Sequence, residues 1–139
     1  MKWMVFLFFC AVGVAVKAQT KADNTISLPA NLSTETIKSI LFQNGYSTEG
    51  TDNFLSTSSK QPNKTAVSVK FMFMKTDTAI IMKGLFKSVV SLSFGGAKID
   101  EDYETIQFKG SKGSLYMEAW NEMNRLARLI SQNIKYTKQ

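Results

Sequence analysis

Residues 65–87 read TAVSVKFMFMKTDTAIIMKGLFK, and the two alternating runs in this stretch decide the fold. Val67, Val69, Phe71 and Phe73 occupy every second position, as do Ile80, Met82, Gly84 and Phe86. A period of two places each set on one face of a strand. Thr76-Asp77 between the runs predicts a hairpin turn, which sets the register. Phe73 then opposes Ile80, Phe71 opposes Met82, Val69 opposes Gly84 and Val67 opposes Phe86, and that face is apolar or Gly throughout. On the other face Met74 meets Ala79, Met72 meets Ile81, Lys70 meets Lys83, Ser68 meets Leu85 and Ala66 meets Lys87. Two directly opposed Lys are tolerated only where water reaches them, so this second face is at least partly wet.

Outward from the hairpin, residues 34–44 predict a helix. Ser33 is a good N-cap, Leu32 can staple onto Ile37, and Ile37, Ile40 and Leu41 form an apolar stripe. Asn44-Gly45 supplies a left-handed stop, after which Tyr46 can fold back on the last turn. Residues 46–48 and 54–58 can pair across Gly50-Thr51-Asp52-Asn53. Residues 61–63 read as a loop, 89–94 as a possible sheet extension broken by Gly95-Gly96, 100–104 as an acidic turn and 103–109 as a final strand. A second helix is predicted over 115–134 with Ser114 as its cap. Ala119, Met123, Leu126, Ala127, Ile130 and Ile134 recur at helical spacing, and Trp120 widens the stripe. Glu118, Asn121, Glu122, Arg125, Arg128 and Gln132 take the opposite side.

The element order is α-β-β-β-β-α. Two amphipathic helices must cover the apolar face of an antiparallel sheet. The expected fold is α+β: a two-layer sandwich with an antiparallel β-meander of about four to five strands and two helices packed on one face.

The first eighteen residues stand apart. Lys2 gives a basic start, residues 5–16 form a short apolar run, and Val16-Lys17-Ala18 precedes a plausible cut before Gln19. This pattern predicts a secretory signal peptide, too short for a membrane span. The expected organisation is a signal peptide over 1–18, a flexible lead or short edge strand over 19–30, and a single α+β domain over 31–136. Cleavage removes Lys2 and Lys17 and lowers the net charge from +6 to +4. It also removes Cys10, the only Cys, from a chain that contains no His. Cys10 does not read as a lipid-acylation site, because bulky Phe8 and Phe9 precede it inside the apolar run. No disulfide can then hold the mature fold, and no second stretch approaches membrane-spanning length. The scattered Lys read as solubilising, without the block expected of a nucleic-acid partner.

The Ala18-Gln19 site, the first helix, the central hairpin and Phe108-Lys109-Gly110 leading into the Trp120 helix resemble small exported domains of unknown function in Bacteroidota-type bacteria. Some of these have a TATA-binding-protein-like fold. The resemblance covers most of the mature chain and implies an exported α+β domain without implying an activity.

Several stretches invite a chemical reading. Lys109, Gly110, Lys112, Gly113 and Ser114 lead into a helix, where free backbone N–H groups and two Lys could hold an anion. The stretch lacks the Walker spacing, and an ordinary strand-to-helix connection also explains it. Gly110-Ser111-Lys112-Gly113 fits a bare G-x-x-G, but it follows a strand rather than joining two helices. Asp100, Glu101, Asp102 and Glu104 offer oxygen ligands without the spacing of a Ca²⁺ loop, and a solvated turn is the simpler reading. Asp77-Thr78-Ala79 at the hairpin tip fits an Asp-Ser/Thr-small-apolar acceptor pattern, which would make Thr78 an O-glycosylation site.

Without His or mature Cys, the usual nucleophile systems and common zinc sites are excluded. Glu118 and Glu122 form an i, i+4 pair, and nearby Arg125 points to a surface ion pair. Met72, Met74 and Ile81 on the second sheet face can make a partner-binding patch. Alternatively, the N-terminal segment, a loop or residues 89–94 covers them. The leading expectation is an exported, non-enzymatic binding or interaction module, periplasmic or extracellular. It needs no cofactor or metal, and its partner is an unknown protein or envelope component. The alternative is a carrier of a small apolar ligand between the sheet and the helix bearing Trp120 and Met123. A hydrolase is the remote third.

Overall fold

The computed structural model describes residues 19–89, 92–94, 97–99 and 102–139. The predicted signal peptide therefore lies outside the described residues. The chain folds as β1 (Thr25–Pro29), α1 (Thr34–Gln43), β2 (Thr48–Gly50), β3 (Phe54–Thr57), β4 (Val67–Lys75) and β5 (Ala79–Ser88). It continues as β6 (Leu92–Phe94), β7 (Ala97–Ile99), β8 (Glu104–Thr105), α2 (Leu115–Ile130) and β9 (Lys135–Thr137). Among the described residues the main sheet has seven antiparallel strands, more than the four to five expected. Its order is β2-β3-β4-β5-β1-β9, with β8 pairing β5 beyond the end of β1. The α+β class and the helical layer over one sheet face hold.

The hairpin keeps its predicted faces and changes its register. Phe73 opposes Met82, Phe71 opposes Gly84, Val69 opposes Phe86 and Val67 opposes Ser88, two residues away from the expected pairing. The turn explains the shift. A two-residue turn at Thr76-Asp77 needs positive φ at its centre, and neither residue has it. The chain instead closes a longer loop. Ala79 N–H donates to Thr76 Oγ1 at 3.1 Å, and Thr76 N–H donates to the Ala79 carbonyl at 2.8 Å. Because a shift of two preserves side-chain direction, the core face stays apolar. On the other face Lys70 now opposes Leu85 and Lys83 opposes Met72, so the two Lys are no longer directly opposed.

Helix α1 begins as expected: Ser33 Oγ accepts from Thr36 N–H. Its end is a Schellman motif, with Gly45 N–H donating to the Phe42 carbonyl and Tyr46 N–H to Leu41. Gly45 has φ +82°, the conformation that this motif requires. Tyr46 then turns inward and is buried against Phe71.

Helix α2 is capped by Ser114, whose Oγ accepts from Met117 N–H, but it stops at Ile130 rather than 134. Ser131 is extended, and its hydroxyl accepts from Asn133 N–H, so the local bonds compete with another helical turn. Residues after this bend return to the sheet as β9 beside β1. Strand β1 therefore lies between β5 and β9 and is neither a flexible lead nor an edge. Ile26 and Leu28 point into the core, opposite Met82 and Ile80.

Residues 103–109 form only the two-residue β8. Ile106 N–H still donates to the Gly84 carbonyl, and the Ile106 side chain is buried. Residues 92–94 and 97–99 pair with each other in a separate two-stranded sheet rather than extending the main one. Gly95 and Gly96 lie outside the described residues.

The core sits between the helices and the sheet. Trp120 is fully buried, with the Phe108 ring at 5.7 Å and the Tyr136 ring at 5.8 Å. Its indole N–H donates to Gln19 Oε1. Packing is close at Gly84, where an added Cβ would lie 2.5 Å from Ile106 Cδ1, 3.0 Å from Phe71 and 3.1 Å from Met123 Sδ. Gly at this position lets α2 approach the sheet.

Candidate functional site: the open face of the sheet

The face of β4 and β5 turned away from the helices carries Ser68, Lys70, Met72 and Met74 beside Ile81, Lys83, Leu85 and Lys87. Met74 lies directly opposite Ile81, and Phe54 of β3 lies directly opposite Met74. Three apolar side chains thus form a row across three strands, with Met72 one step along β4. Met74 is 47 % exposed and Phe54 46 %, while Met72 and Ile81 are half-buried. The predicted trio is therefore brought together and reaches solvent. Phe54 is not among the residues that the sequence alone assigns to this face; it joins through the pairing of β3 with β4.

The other end of this face is cationic. Tyr103, just before β8, lies against it, with Lys70 Nζ 4.1 Å and Lys87 Nζ 5.0 Å from the ring centroid. The Tyr103 hydroxyl shares a hydrogen bond with the hydroxyl of Ser59. That bond lowers the phenol pKa below its ordinary value. Partial burial opposes the shift, and Lys87, the Ser68 hydroxyl and Lys70 reinforce it. Among the described residues, no carboxylate pairs with Lys70, Lys83 or Lys87.

The remaining sequence candidates lie elsewhere. Lys109, Gly110, Lys112, Gly113 and Ser114 form the turn into α2. Lys109 Nζ sits 3.8 Å over the Tyr116 ring, and Ser114 already occupies the helix N-terminus as its cap. Gly110 and Gly113 both have positive φ, at +89° and +85°, so the backbone of the connection itself accounts for the glycines. Thr78 is exposed at the β4–β5 tip, beside Asp77. Asp100 and Glu101 lie outside the described residues. Asp102 is exposed, and Glu104 accepts from the Tyr116 hydroxyl. Among the described residues, no cluster of three metal-ligating side chains occurs.

The sequence reading missed a second polar constellation. Glu122, expected in a surface ion pair, is only 8 % exposed. Its carboxylate accepts from the Tyr46 hydroxyl at 2.8 Å and from Arg125 Nε and Nη2, both at 2.8 Å. Burial works to raise the Glu122 pKa. The Arg125 and Tyr46 hydrogen bonds, with the charges of Arg125 and Lys60, outweigh it and hold the carboxyl below its usual range. Tyr46 is pushed strongly upward, first by burial and then by the charge of Glu122 and the hydrogen bond to it. Arg125 also reaches Asn44 Oδ1 at 3.0 Å, and Lys60 Nζ donates to the Asn44 carbonyl. Asn44, Lys60, Glu122 and Arg125 border a polar groove of about 740 Å³ between the end of α1, the loop 60–65 and α2. The buried charges in it are mutually satisfied.

No protein-family model, curated protein or solved structure matches this chain.

Proposed function

We propose that this protein is an exported, non-enzymatic binding module whose working surface is the open sheet face at Phe54, Met72, Met74 and Ile81. The observation that carries this reading is the exposed row Phe54–Met74–Ile81, laid across three strands opposite a fully built core. Adaptable Met side chains beside an aromatic ring, rimmed by polar strands, suit a protein or envelope partner. The close contacts at Gly84 weigh against a ligand carried between the sheet and α2, because even one methyl group there would meet three side chains. The residues available for catalysis favour binding over a hydrolase: the described chain has no His or Cys, and its buried carboxylates Asp23 and Glu122 already accept hydrogen bonds from Thr20 and from Tyr46 and Arg125.

Affinity capture from envelope extract tests the reading, with the wild-type chain beside Met74→Lys and Phe54→Ser. Both positions are exposed enough for the fold to survive substitution. Partners retained by the wild type should be lost or reduced at least tenfold with either variant. Identical partner sets for all three proteins would remove the open face from the function.

A further inference from the structure

We infer that the cationic end of the open face, formed by Lys70, Lys87, Ser59, Ser68 and Tyr103, is a binding site for a phosphoryl dianion. The inference extends the reading of this face as a binding surface by assigning the charged group that the partner brings to it.

Three observations carry it. Lys70 and Lys87 come from adjacent strands and converge on one ring, although their like charges repel. Among the described residues, neither has a carboxylate partner, nor does neighbouring Lys83. A ring face offsets an ammonium charge only in part, and each ammonium has three N–H donors to satisfy. Second, hydroxyls surround the convergence point. Ser59 and Tyr103 bring two protons and share one hydrogen bond, so one O–H proton of the pair remains to donate. The Ser68 hydroxyl also faces the phenol. Third, the charge on the whole face is one-sided. Among the described strand residues, Lys70, Lys83, Lys87 and Lys135 share it with one acid, Glu49, which sits out on edge strand β2.

Two ammonium groups with no carboxylate partner among the described residues match a dianion better than a single carboxylate. A phosphate monoester carries between one and two negative charges near neutral pH, with three acceptor oxygens. It can take both ammonium groups and the free hydroxyl proton at once. The adjoining Leu85, Met72 and Ile81 would meet an apolar portion of the same molecule.

The test uses the full chain after export, titrated with inorganic phosphate and followed by NMR of Tyr103 and the Lys side chains. Sodium acetate and sodium chloride at matched ionic strength are the controls. Phosphate should give saturable shifts at Lys70, Lys87 and Tyr103, and chloride should not. Lys70→Gln/Lys87→Gln should weaken binding at least tenfold and Tyr103→Phe severalfold. Lys135→Gln, on the same face but distant in the strand order, should leave binding unchanged. Circular dichroism establishes that each variant is folded. A response to chloride equal to that with phosphate, or undiminished binding in the double Lys variant, would overturn the site. Stronger binding of acetate than phosphate would overturn the dianion assignment. Further arms with glycerol phosphate and with vesicles containing phosphatidic acid identify the source as soluble or lipid, and binding in either arm supports the site. Met74→Lys separates the two readings. Phosphate binding that survives while partner retention is unaffected leaves the site standing and removes the apolar patch. Loss of partner retention without any phosphate binding does the reverse.

Discussion

Of the three tyrosines with a lysine ammonium over the ring among the described residues, Tyr46 and Tyr103 make the sharpest contrast. Lys60 Nζ lies 4.9 Å from the Tyr46 ring centroid, and Lys70 Nζ lies 4.1 Å from that of Tyr103. Around Tyr46 the cations Arg125 and Lys60 are matched by the buried carboxylate of Glu122. Around Tyr103 the cations have hydroxyls beside them and no acid among the described residues. The phenols respond in opposite directions: Tyr46 holds its proton more tightly than usual, and Tyr103 less tightly. A polar cluster that contains its own counter-charge is complete and can fasten α1 to α2. One that lacks a counter-charge gains by receiving it from outside.

The largest expected effect falls on the complete cluster. Glu122→Ala leaves the Tyr46 hydroxyl and Arg125 without their acceptor. Arg125 is half-exposed, so water recovers part of the loss, and the cost should be about 2–4 kcal/mol in urea unfolding. Because the folded-state pKa of Glu122 is depressed, its contribution is present above the ordinary carboxylate range and disappears as pH falls through the folded value. Glu122→Gln should therefore flatten the acid limb of the stability profile. A loss below about 0.5 kcal/mol for Glu122→Ala would mean that this cluster fastens nothing and that the contrast with Tyr103 fails.

Alkaline titration sharpens the contrast without a charge-changing substitution. Near-UV absorbance should show Tyr103 ionising before the ordinary phenol value of about 10 and Tyr46 after it. Tyr103→Phe should remove the early phase and Tyr46→Phe the late one. The stability signs are opposite. The folded state keeps the Tyr46 proton, so that contribution falls as pH rises past the ordinary value. It releases the Tyr103 proton early, so that contribution grows as pH rises toward the ordinary value and is complete above it. Simultaneous ionisation of both residues below the unfolding pH would erase the distinction.

The sequence shows less of these clusters than of the scaffold, for a physical reason. The faces of β4 and β5 are legible because alternation is local, and a register error of two leaves them intact. The caps at Ser33 and Ser114 are legible for the same reason. The register itself is set by Thr76 bonding to Ala79, a choice that periodicity does not encode. Strand β1 offers only Ile26-Ser27-Leu28 as a signal, and its central place depends on β5 and on the distant β9. Ile134 continues the helical spacing from Ile130, which concealed the bend at Ser131. The open-face trio followed from alternation, whereas Phe54 joins it only through the pairing of β3 with β4. Both tyrosine clusters are assembled from remote segments. Glu122 meets Tyr46 across 76 residues, and Tyr103 meets Ser59 across 44. No single window of sequence contains either cluster.

The smallest expected effect tests the comparison most directly, by changing the corresponding lysine in each cluster to Gln. Lys60 donates to the Asn44 carbonyl at the negative end of α1, covers Tyr46 and lies close enough to Glu122 to lower its pKa. Lys60→Gln removes these attractions and should cost about 1 kcal/mol. Lys70 gives up one partly exposed ring contact, and its removal also relieves repulsion from Lys83 and Lys87 on the neighbouring strand. Lys70→Gln should therefore change stability by less than about 0.5 kcal/mol in either direction. Paired urea unfolding at low and high salt measures both effects. Added salt screens the repulsion around Lys70, so any gain from Lys70→Gln should shrink toward zero, while the Lys60→Gln loss persists in part because its hydrogen bond does not depend on long-range charge. Equal losses in the two variants would make Lys70 another structural fastening, and the uncompensated cations of the open face would then be explained by the fold alone.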